Sequence, residues 1–261
     1  TLNVIEVDVS AGGNVNVNSG GSFVLNNNSH LLMGSGKTLS VNNGGTLSMI
    51  GSLGAEAGIS RMSSGYYAFN IESGGTIAAD YGIFEYMNSD GINLKAGAVV
   101  DPANTFNHCT FLNGASGGQL LTINNDQNFG VYYAQFPANS WSGSYNVSKN
   151  VNAGYVVFYN FSGAFAGEDY DYDPNDRIEW YLPQLAVDPA TRTVNPPAGT
   201  TTFDVLSNTN WTVTESVGWL SVTPVSGSYN ATLTVTYDQQ PSATNRTGII
   251  TLSAPDVPDV T

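Results

Sequence analysis

Short apolar runs recur along the chain at a nearly constant interval, each bounded by Gly, Asn or Ser. Three of these runs are residues 106–111, 131–136 and 156–161, and a fourth lies one step earlier, at residues 83–87. A fixed period of about 20–50 residues is typical of a stacked architecture. One coil per repeat would place Phe111, Phe136 and Phe161 above one another inside the stack, with Met87 continuing the row.

A second repeat, of small residues followed by an apolar one, runs through the first half of the chain. Its glycines are Gly21, Gly45, Gly75, Gly97 and Gly118, and their spacings are close to the period of the first repeat. Glycine adopts the positive φ that a sharp coil corner requires. The two repeats together predict a right-handed parallel β-helix of about six or seven coils, whose largest surface loop is residues 51–64.

The pattern changes after residue 161. Six of the 21 acidic residues lie between residues 168 and 179, and from residue 185 onward short alternating strands are separated by turn sequences. Strands at this spacing predict a β-sandwich of the immunoglobulin-like kind. We therefore predict an all-β chain with two domains, a parallel β-helix with an acidic terminal segment at residues 1–182 and a sandwich at residues 183–261.

The predicted sandwich carries a set of motifs that identifies a family. They are Trp211-Thr-Val, Trp219-Leu-Ser-Val, Pro224, Ser226-Gly227, a strand at residues 232–236 and Arg246-Thr-Gly-Ile-Ile. Residues 184–254 resemble the BACON domain, the Bacteroidetes-associated carbohydrate-binding, often N-terminal module. The resemblance implies glycan binding or a spacer role in a bacterial surface protein. The preceding region is similar in architecture to bacterial surface β-helix proteins of the pectate-lyase-like superfold.

Charge and composition exclude several classes of partner. The formal net charge is −14, from seven basic and 21 acidic residues. Nucleic-acid binding depends on Lys and Arg neutralising phosphates, so neither a nucleic acid nor an anionic membrane surface is expected to bind. No apolar run is long enough to span a membrane, and the single cysteine, Cys109, is expected to be a buried apolar residue.

A polysaccharide-degrading enzyme is the main alternative, because β-helices host hydrolases and lyases. The Asn-Ser-Asp-Gly sequence at residues 88–91 resembles a polygalacturonase motif, but the Asp-Asp pair and Gly-His-Gly of that family are missing. Asp80, Glu85 and Asp101 are the carboxylates that could supply the acid and base of an inverting hydrolase. A lyase would need more basic residues than this region contains. We therefore read Asp90 as part of a coil turn and favour a non-catalytic protein.

A glycan-binding surface is the more direct prediction. If the repeats stack in register, Phe84, His108, Tyr133 and Phe158 form one column with a rise of about 4.8 Å per coil. An outward-facing column of rings would suit the apolar faces of sugars, whereas the alternative is that the column is buried. In the second domain, Trp211 and Trp219 begin apolar strands, which is typical of core residues as well as of lectin sites.

The acidic segment predicts a calcium site, with Ca²⁺ as the only cofactor considered. Asp169, Asp171, Asp173 and Asp176 alternate as in a calcium-binding loop, and carboxylate oxygens suit this ion. Pro174 stands where such a loop has glycine. The alternative is a solvated loop that caps the β-helix, in which Arg177 partly neutralises the acidic side chains.

The sandwich is expected to lack its last strand, because only residues 259–261 remain to begin it. One explanation is that the sequence is a fragment of a longer surface protein. The other is that a neighbouring chain supplies the strand, because an open sheet edge invites strand addition. Residues 2–9 are a candidate donor from a second chain, since Ile5, Val7 and Val9 share one strand face. We therefore expect a non-catalytic, secreted or cell-surface structural or adhesive module that binds polysaccharide or self-assembles.

Overall fold

The computed structural model describes residues 2–4, 8–137, 145–242 and 244–261. The chain divides into two compact units, residues 1–181 and 182–261. The helical content of the described residues is one 3₁₀ turn, Glu168–Tyr170. The prediction of an all-β protein is therefore confirmed.

The first unit consists of short strands. In chain order they are β1 Leu2–Val4, β2 Asp8–Ala11, β3 Val15–Val17, β4 Ser22–Asn26, β5 His30–Met33, β6 Thr38–Val41, β7 Thr46–Ile50, β8 Ala57–Arg61, β9 Tyr67–Ile71, β10 Thr76–Asp80, β11 Gly82–Glu85, β12 Met87–Leu94, β13 Val99–Asn107, β14 Thr110–Leu112, β15 Leu121–Ile123, β16 Phe129–Tyr132, β17 Val147–Ser148, β18 Val156–Tyr159, β19 Asp171–Tyr172 and β20 Ile178–Tyr181.

Strands of successive coils are neighbours in space, and they pair in parallel. The sheets have the orders β1-β4-β7-β10-β13, β14-β11-β8-β5-β2, β19-β17-β15-β12-β9-β6-β3 and β16-β18-β20. The largest of these sheets has seven described strands, so the unit is a parallel β-solenoid of about seven turns, as predicted. The right-handed sense of the coil stays a prediction.

The inside of the solenoid contains stacked aromatic rings. Phe84, Phe111 and Phe136 are fully buried, and their ring centroids follow one another at 5.4 and 5.2 Å. The row predicted from the sequence period is therefore corrected at both ends. Phe161 is only partly buried and stands edge-on to Trp180, and Met87 belongs to a different sheet.

A bulge in β13 explains the shift of register. Ile77 pairs with Val100 and Asp80 pairs with Asn107, so a step of three positions in β10 matches a step of seven positions in β13. The later coil therefore contains extra residues between these two pairs. Phe84 consequently pairs with Phe111, not with His108 as the sequence period suggested.

The small-residue repeat forms a column at one corner, but the positive φ belongs to the glycine that precedes each of Gly21, Gly45 and Gly75. Gly20, Gly44, Gly74 and Gly97 have φ values of 72°, 72°, 75° and 77°. The N–H of each of the first three donates to the carbonyl of the next, at 2.9, 2.9 and 2.7 Å. Gly118 departs from this column because it lies against Ser89, at another corner.

The second unit contains antiparallel strands. They are β21 Leu185–Asp188, β22 Gly199–Ser207, β23 Asn210–Glu215, β24 Leu220–Thr223, β25 Ser226–Ser228, β26 Ala231–Tyr237 and β27 Ile250–Ser253. They form one sheet of order β21-β22-β26-β24 and another of order β25-β23-β27. Both sheets contribute to one core, in which Val205 and Leu233 of the first sheet pack with Trp211 and Leu252 of the second.

The two segments expected to take part in strand addition, one near each end of the sequence, form strand pairings within this chain. β1 pairs with β4, and β2 pairs with β5. Val260 forms an antiparallel bridge to Leu252, with N–H to oxygen distances of 2.8 and 3.0 Å. Ile5 and Val7, whose strand face motivated the prediction, lie outside the described residues.

Candidate functional site

A column of three aromatic side chains lies on the outside of the solenoid. The rings of Tyr81 and His108 stack with centroids 4.1 Å apart, and those of His108 and Tyr133 with centroids 4.9 Å apart. All three side chains are partly exposed. His108 and Tyr133 were predicted members of an outward column, and the structure brings them together.

The other two predicted members are not on this surface. Phe84 and Phe158 are both 0% exposed, and they pack inside the solenoid. Phe158 pairs with Val131, an inward position, and not with Tyr133 as the sequence period suggested. The prediction that Phe84 and Phe158 face outward is therefore wrong, and a surface site cannot include them.

The outward column follows a left-handed corner of the backbone. Tyr81, His108 and Tyr133 have φ values of 49°, 53° and 61°. Positive φ is unusual for bulky residues and costs roughly 1–2 kcal/mol at each position. Asn160, with φ 54°, donates its N–H to Tyr181 O in the same way that Tyr133 donates to Tyr159 O. Because Asn tolerates this conformation better than Tyr and His do, three rings at this corner store backbone strain, a feature that clusters at functional sites.

An acidic side chain fixes the imidazole of the column. His108 Nδ1 lies 2.9 Å from Asp80 Oδ1, and the two side chains are 32% and 27% exposed. This contact leaves the other ring nitrogen, Nε2, for a further partner. Asp80 thus orients the ring between the two tyrosines, and it belongs to the surface without having been a predicted binding residue.

A second row of rings runs beside the first and was missed from the sequence. Tyr132, Tyr159 and Tyr181 are register partners on β16, β18 and β20. Tyr132 and Tyr159 stack with centroids 4.7 Å apart, and Tyr181 stands at 64° to Tyr159 with centroids 5.6 Å apart. Tyr132 is 44% exposed. Each of these tyrosines is the last residue of its strand. The row was hidden in the sequence because the two steps that separate the tyrosines are unequal.

The chemistry of these rows follows from their stacking. Ring faces are covered by neighbouring rings along the corner column and between Tyr132 and Tyr159, so these rings present mainly ring edges, phenol oxygens and an imidazole nitrogen, whereas Tyr181 stands edge-on to Tyr159. Burial raises the pKa of Tyr159 above that of a free phenol, and nearby Tyr132, Glu179 and Tyr181 raise it further. The hydroxyl of Tyr159 therefore stays protonated at neutral pH and can donate as well as accept a hydrogen bond.

The carboxylates considered for hydrolysis have structural partners. Glu85 accepts hydrogen bonds from Ser60 Oγ at 3.0 Å and Asn113 Nδ2 at 3.1 Å. Asp101 Oδ1 accepts from the N–H of Ala103 at 3.0 Å, within the bulged strand β13. Cys109 is fully buried, and burial raises the pKa of its thiol. These groups are parts of the solenoid wall.

The acidic segment holds the end of the solenoid through backbone and indole contacts. Asp173 Oδ2 accepts from the N–H of Ile178 at 2.5 Å and from that of Arg177, and Asp171 Oδ2 accepts from Trp180 Nε1 at 2.6 Å. Burial raises the pKa of Asp171 to about 6. Within the described ranges, no group of three or more His, Cys, Asp or Glu side chains could hold a metal ion.

The four predicted calcium ligands are therefore not brought together as a site. Asp169 belongs to the 3₁₀ turn, and Asp176 occupies a left-handed position with φ 53°. Asp171 and Asp173 each direct one carboxylate oxygen to donors of the protein itself. This arrangement is that of the capping loop, the alternative considered for this segment.

The two tryptophans of the second unit have different environments. Trp211 is a core residue whose indole N–H donates to Tyr229 O at 2.8 Å. Trp219 is partly exposed and carries the guanidinium of Arg246 at 4.0 Å above its ring. A cavity of about 370 Å³ adjoins Trp219, and Phe203 and Val235 form part of its wall.

One comparison with known proteins bears on the second unit. No curated protein matches the chain. A solved structure described as "Bacteroides ovatus GH5 xyloglucanase in complex with a XXXG heptasaccharide" is similar at 20% identity and a TM-score of 0.28, covering 30% of this chain and 17% of that chain. No helix of the described residues is long and apolar enough to cross a membrane. Residues 184–261 match the family model of the viral BACON domain, which confirms the resemblance found in the sequence.

Proposed function

We propose that this chain is a non-catalytic, secreted or cell-surface module that contacts polysaccharide through the outside of its solenoid. The solenoid acts as a rigid frame, and the second unit is an immunoglobulin-like sandwich of the BACON kind. The match of residues 184–261 to the viral BACON domain supports a carbohydrate ligand for the protein as a whole.

One observation carries this proposal: the column Tyr81–His108–Tyr133 is partly exposed, stacked and held in a strained backbone conformation. Bulky side chains at positive φ persist where the surroundings or a function retain them. Asn160 at the same corner demonstrates that the coil closes without a ring there. Retention of three rings on a solvent-exposed surface therefore favours recognition over packing.

The test is a glycan-array screen run together with a reducing-sugar release assay. The double variant His108→Asn, Tyr133→Asn removes the rings but keeps a residue type that this corner accepts. Tyr229→Asn is the matched control, because Tyr229 is an exposed tyrosine with φ 60° in the second unit. Binding without sugar release that is lost in the double variant and kept in the control supports the proposal. Release of reducing ends would instead favour the alternative, a polysaccharide-degrading β-helix enzyme.

Self-assembly is a second candidate role, favoured by an apolar cavity at the edge of β27. The cavity has a volume of about 310 Å³ and is lined in part by Val187, Phe203 and Leu233. Val260 begins an antiparallel pairing with β27 beside it. A strand supplied by a second copy would bury the parts of Val187 and Phe203 that remain exposed. Light scattering on the intact chain and on a variant lacking residues 1–9 tests this role, and a monodisperse monomer at high concentration contradicts it.

A further inference from the structure

We propose that the two aromatic rows form one continuous track for a neutral, linear polysaccharide that runs along the solenoid axis, contacting successive coils. The track is defined as Tyr81, His108 and Tyr133 at the corner and Tyr132, Tyr159 and Tyr181 on the adjoining sheet face. This inference rests on the proposed function and names the class of ligand and its direction.

The direction follows from the register. Tyr132, Tyr159 and Tyr181 are register partners on adjacent parallel strands, so their row runs perpendicular to the strands and along the axis. Tyr133 follows Tyr132 directly in sequence, at the turn where β16 ends, and therefore joins the two rows. Centroid separations of 4.1, 4.9, 4.7 and 5.6 Å give one ring per coil in each row. A ligand in this orientation meets an equivalent group at every step.

A glycine makes room for the second row. A Cβ at Gly130 would lie 3.1 Å from Tyr159 Cε2 and 3.3 Å from Tyr132 Cε2, closer than side chains normally approach. The two rings therefore lie against the outer face of β16 over a position that has no side chain. A Cβ at residue 130 would require the two rings to shift by a few tenths of an ångström, although the backbone conformation there accepts other residues.

The edges of the rings supply the chemistry that sugars require. Phenol groups both donate and accept hydrogen bonds, as sugar hydroxyls do. Stacking fixes the rings, so little side-chain entropy is lost on binding. The CH edges between the hydroxyls provide apolar contact. A row of such groups suits a chain of repeating hydroxylated units better than a single sugar.

Charge selects a neutral ligand. Asp80 lies beside the corner column, and Glu179, which accepts from Tyr155 OH at 2.9 Å, lies next to the second row on β20. Two lysines of the solenoid are engaged elsewhere: Lys95 pairs with Glu72 at 2.7 Å, and Lys149 is buried. An anionic polysaccharide would therefore meet carboxylates without help from these cations.

The test compares three soluble probes by affinity electrophoresis and calorimetry with the full chain. They are hydroxyethyl cellulose and galactomannan, which are neutral, and polygalacturonate, which is anionic. The variants are Tyr132→Ala, Tyr132→Phe and Gly130→Ala, each checked for an unchanged melting temperature. Tyr172→Ala is the control, because Tyr172 is also 44% exposed but lies on β19, in another sheet.

We expect a neutral probe to bind, with an affinity about tenfold weaker in Tyr132→Ala and in Gly130→Ala and unchanged in Tyr172→Ala, since a lost contact of ~1.4 kcal/mol corresponds to that factor. Tyr132→Phe separates the hydroxyl from the ring and should weaken binding by a smaller factor. Binding of polygalacturonate alone would overturn the inference and leave the proposed function standing. Binding of a neutral probe that depends on His108 and Tyr133 but not on Tyr132 or Gly130 would also overturn the inference and leave the proposed function standing. Binding of no glycan, here and on the array, would overturn both.

Discussion

Two of the solenoid's aromatic columns run through the same coils, one inside and one at an outer corner. Inside, Phe84, Phe111 and Phe136 stack at 5.4 and 5.2 Å and are fully buried. Outside, Tyr81, His108 and Tyr133 stack at 4.1 and 4.9 Å and remain partly exposed. Rings stack in both columns because successive coils lie at a stacking distance from one another. Stacking alone therefore does not reveal whether a column stabilises the fold or binds a ligand.

Backbone conformation separates the two columns. The inner phenylalanines occupy extended strand positions or lie beside them, where a side chain is accommodated without strain. Each outer residue has a positive φ. The inner column gains the free energy of fully burying its apolar area, about 25 cal/mol per Å², whereas the outer column incurs strain at side chains that stay partly exposed. The comparison indicates that the first column stabilises the fold and the second is available for recognition.

The largest expected effect is on the inner column. Phe136→Ala should lower the free energy of unfolding by about 3–5 kcal/mol, because a buried ring is replaced by a cavity. Tyr66→Ala, at a side chain that is 40% exposed, should change it by less than about 0.5 kcal/mol. Thermal or denaturant unfolding of both variants measures the difference. Equal stabilities would contradict the register that places Phe136 inside.

The next effect concerns Trp180, which stands edge-on to Phe136 at the end of the inner column with ring centroids 5.7 Å apart. Its ring stacks on Phe158 at 4.2 Å, and its indole N–H donates to Asp171. Burial raises the pKa of Asp171 from 3.8 to about 6, so the folded state binds the proton more tightly than the unfolded state. The stabilisation of the folded state by the protonated Asp171 carboxyl is fully present below pH 3.8 and is lost as pH rises through about 6. The loss is at most about 2 kcal/mol after solvent screening.

Asp171→Asn should remove this pH dependence while keeping an acceptor for the indole. Melting temperatures at pH 4 and pH 7 compare the variant with the parent chain. The variant should gain stability relative to the parent at pH 7 and should not do so at pH 4. The opposite order would contradict the assigned direction of the pKa shift.

A smaller effect is expected from the outer column. His108→Asn loses stacking worth about 0.5–1.5 kcal/mol and the contact of the imidazole with Asp80, and it relieves backbone strain of roughly 1–2 kcal/mol. The losses and the gain oppose each other, so the free energy of unfolding should stay within about 1 kcal/mol of the parent value. Denaturant unfolding measures it. A loss as large as that of Phe136→Ala would make the outer column a structural element.

The smallest effect is expected from calcium. Asp171 and Asp173 already accept hydrogen bonds from Trp180, Arg177 and Ile178, so a cation would have to displace these donors. Melting temperature should be the same with calcium and with chelator. A rise of several degrees with calcium would revive the predicted site.

The sequence predicted the inside of the solenoid better than its corners. Alternating burial along a strand follows from the two-residue periodicity of its side chains, and the number of sequence repeats predicted the number of coils. The register did not follow, because the bulge in β13 adds residues without interrupting the apolar pattern. Phe84 was therefore assigned to the wrong face. Phe158 was assigned to the wrong face for a separate reason, because it pairs with Val131 and not with Tyr133. Tyr81 was missed because a left-handed corner occupied by Tyr has no sequence signature like that of Gly or Asn.

The parallel ladder has a consequence for how this molecule can vary in length. Each coil pairs only with the coils before and after it, as in β4-β7-β10. Stability in such a stack is close to a sum of coil and nearest-neighbour contributions, like a one-dimensional chain of coupled units. Whole coils can therefore be inserted or removed without redesigning the rest. A recognition surface that repeats once per coil would lengthen or shorten by the same step, so the number of coils would set the length of ligand that the surface contacts.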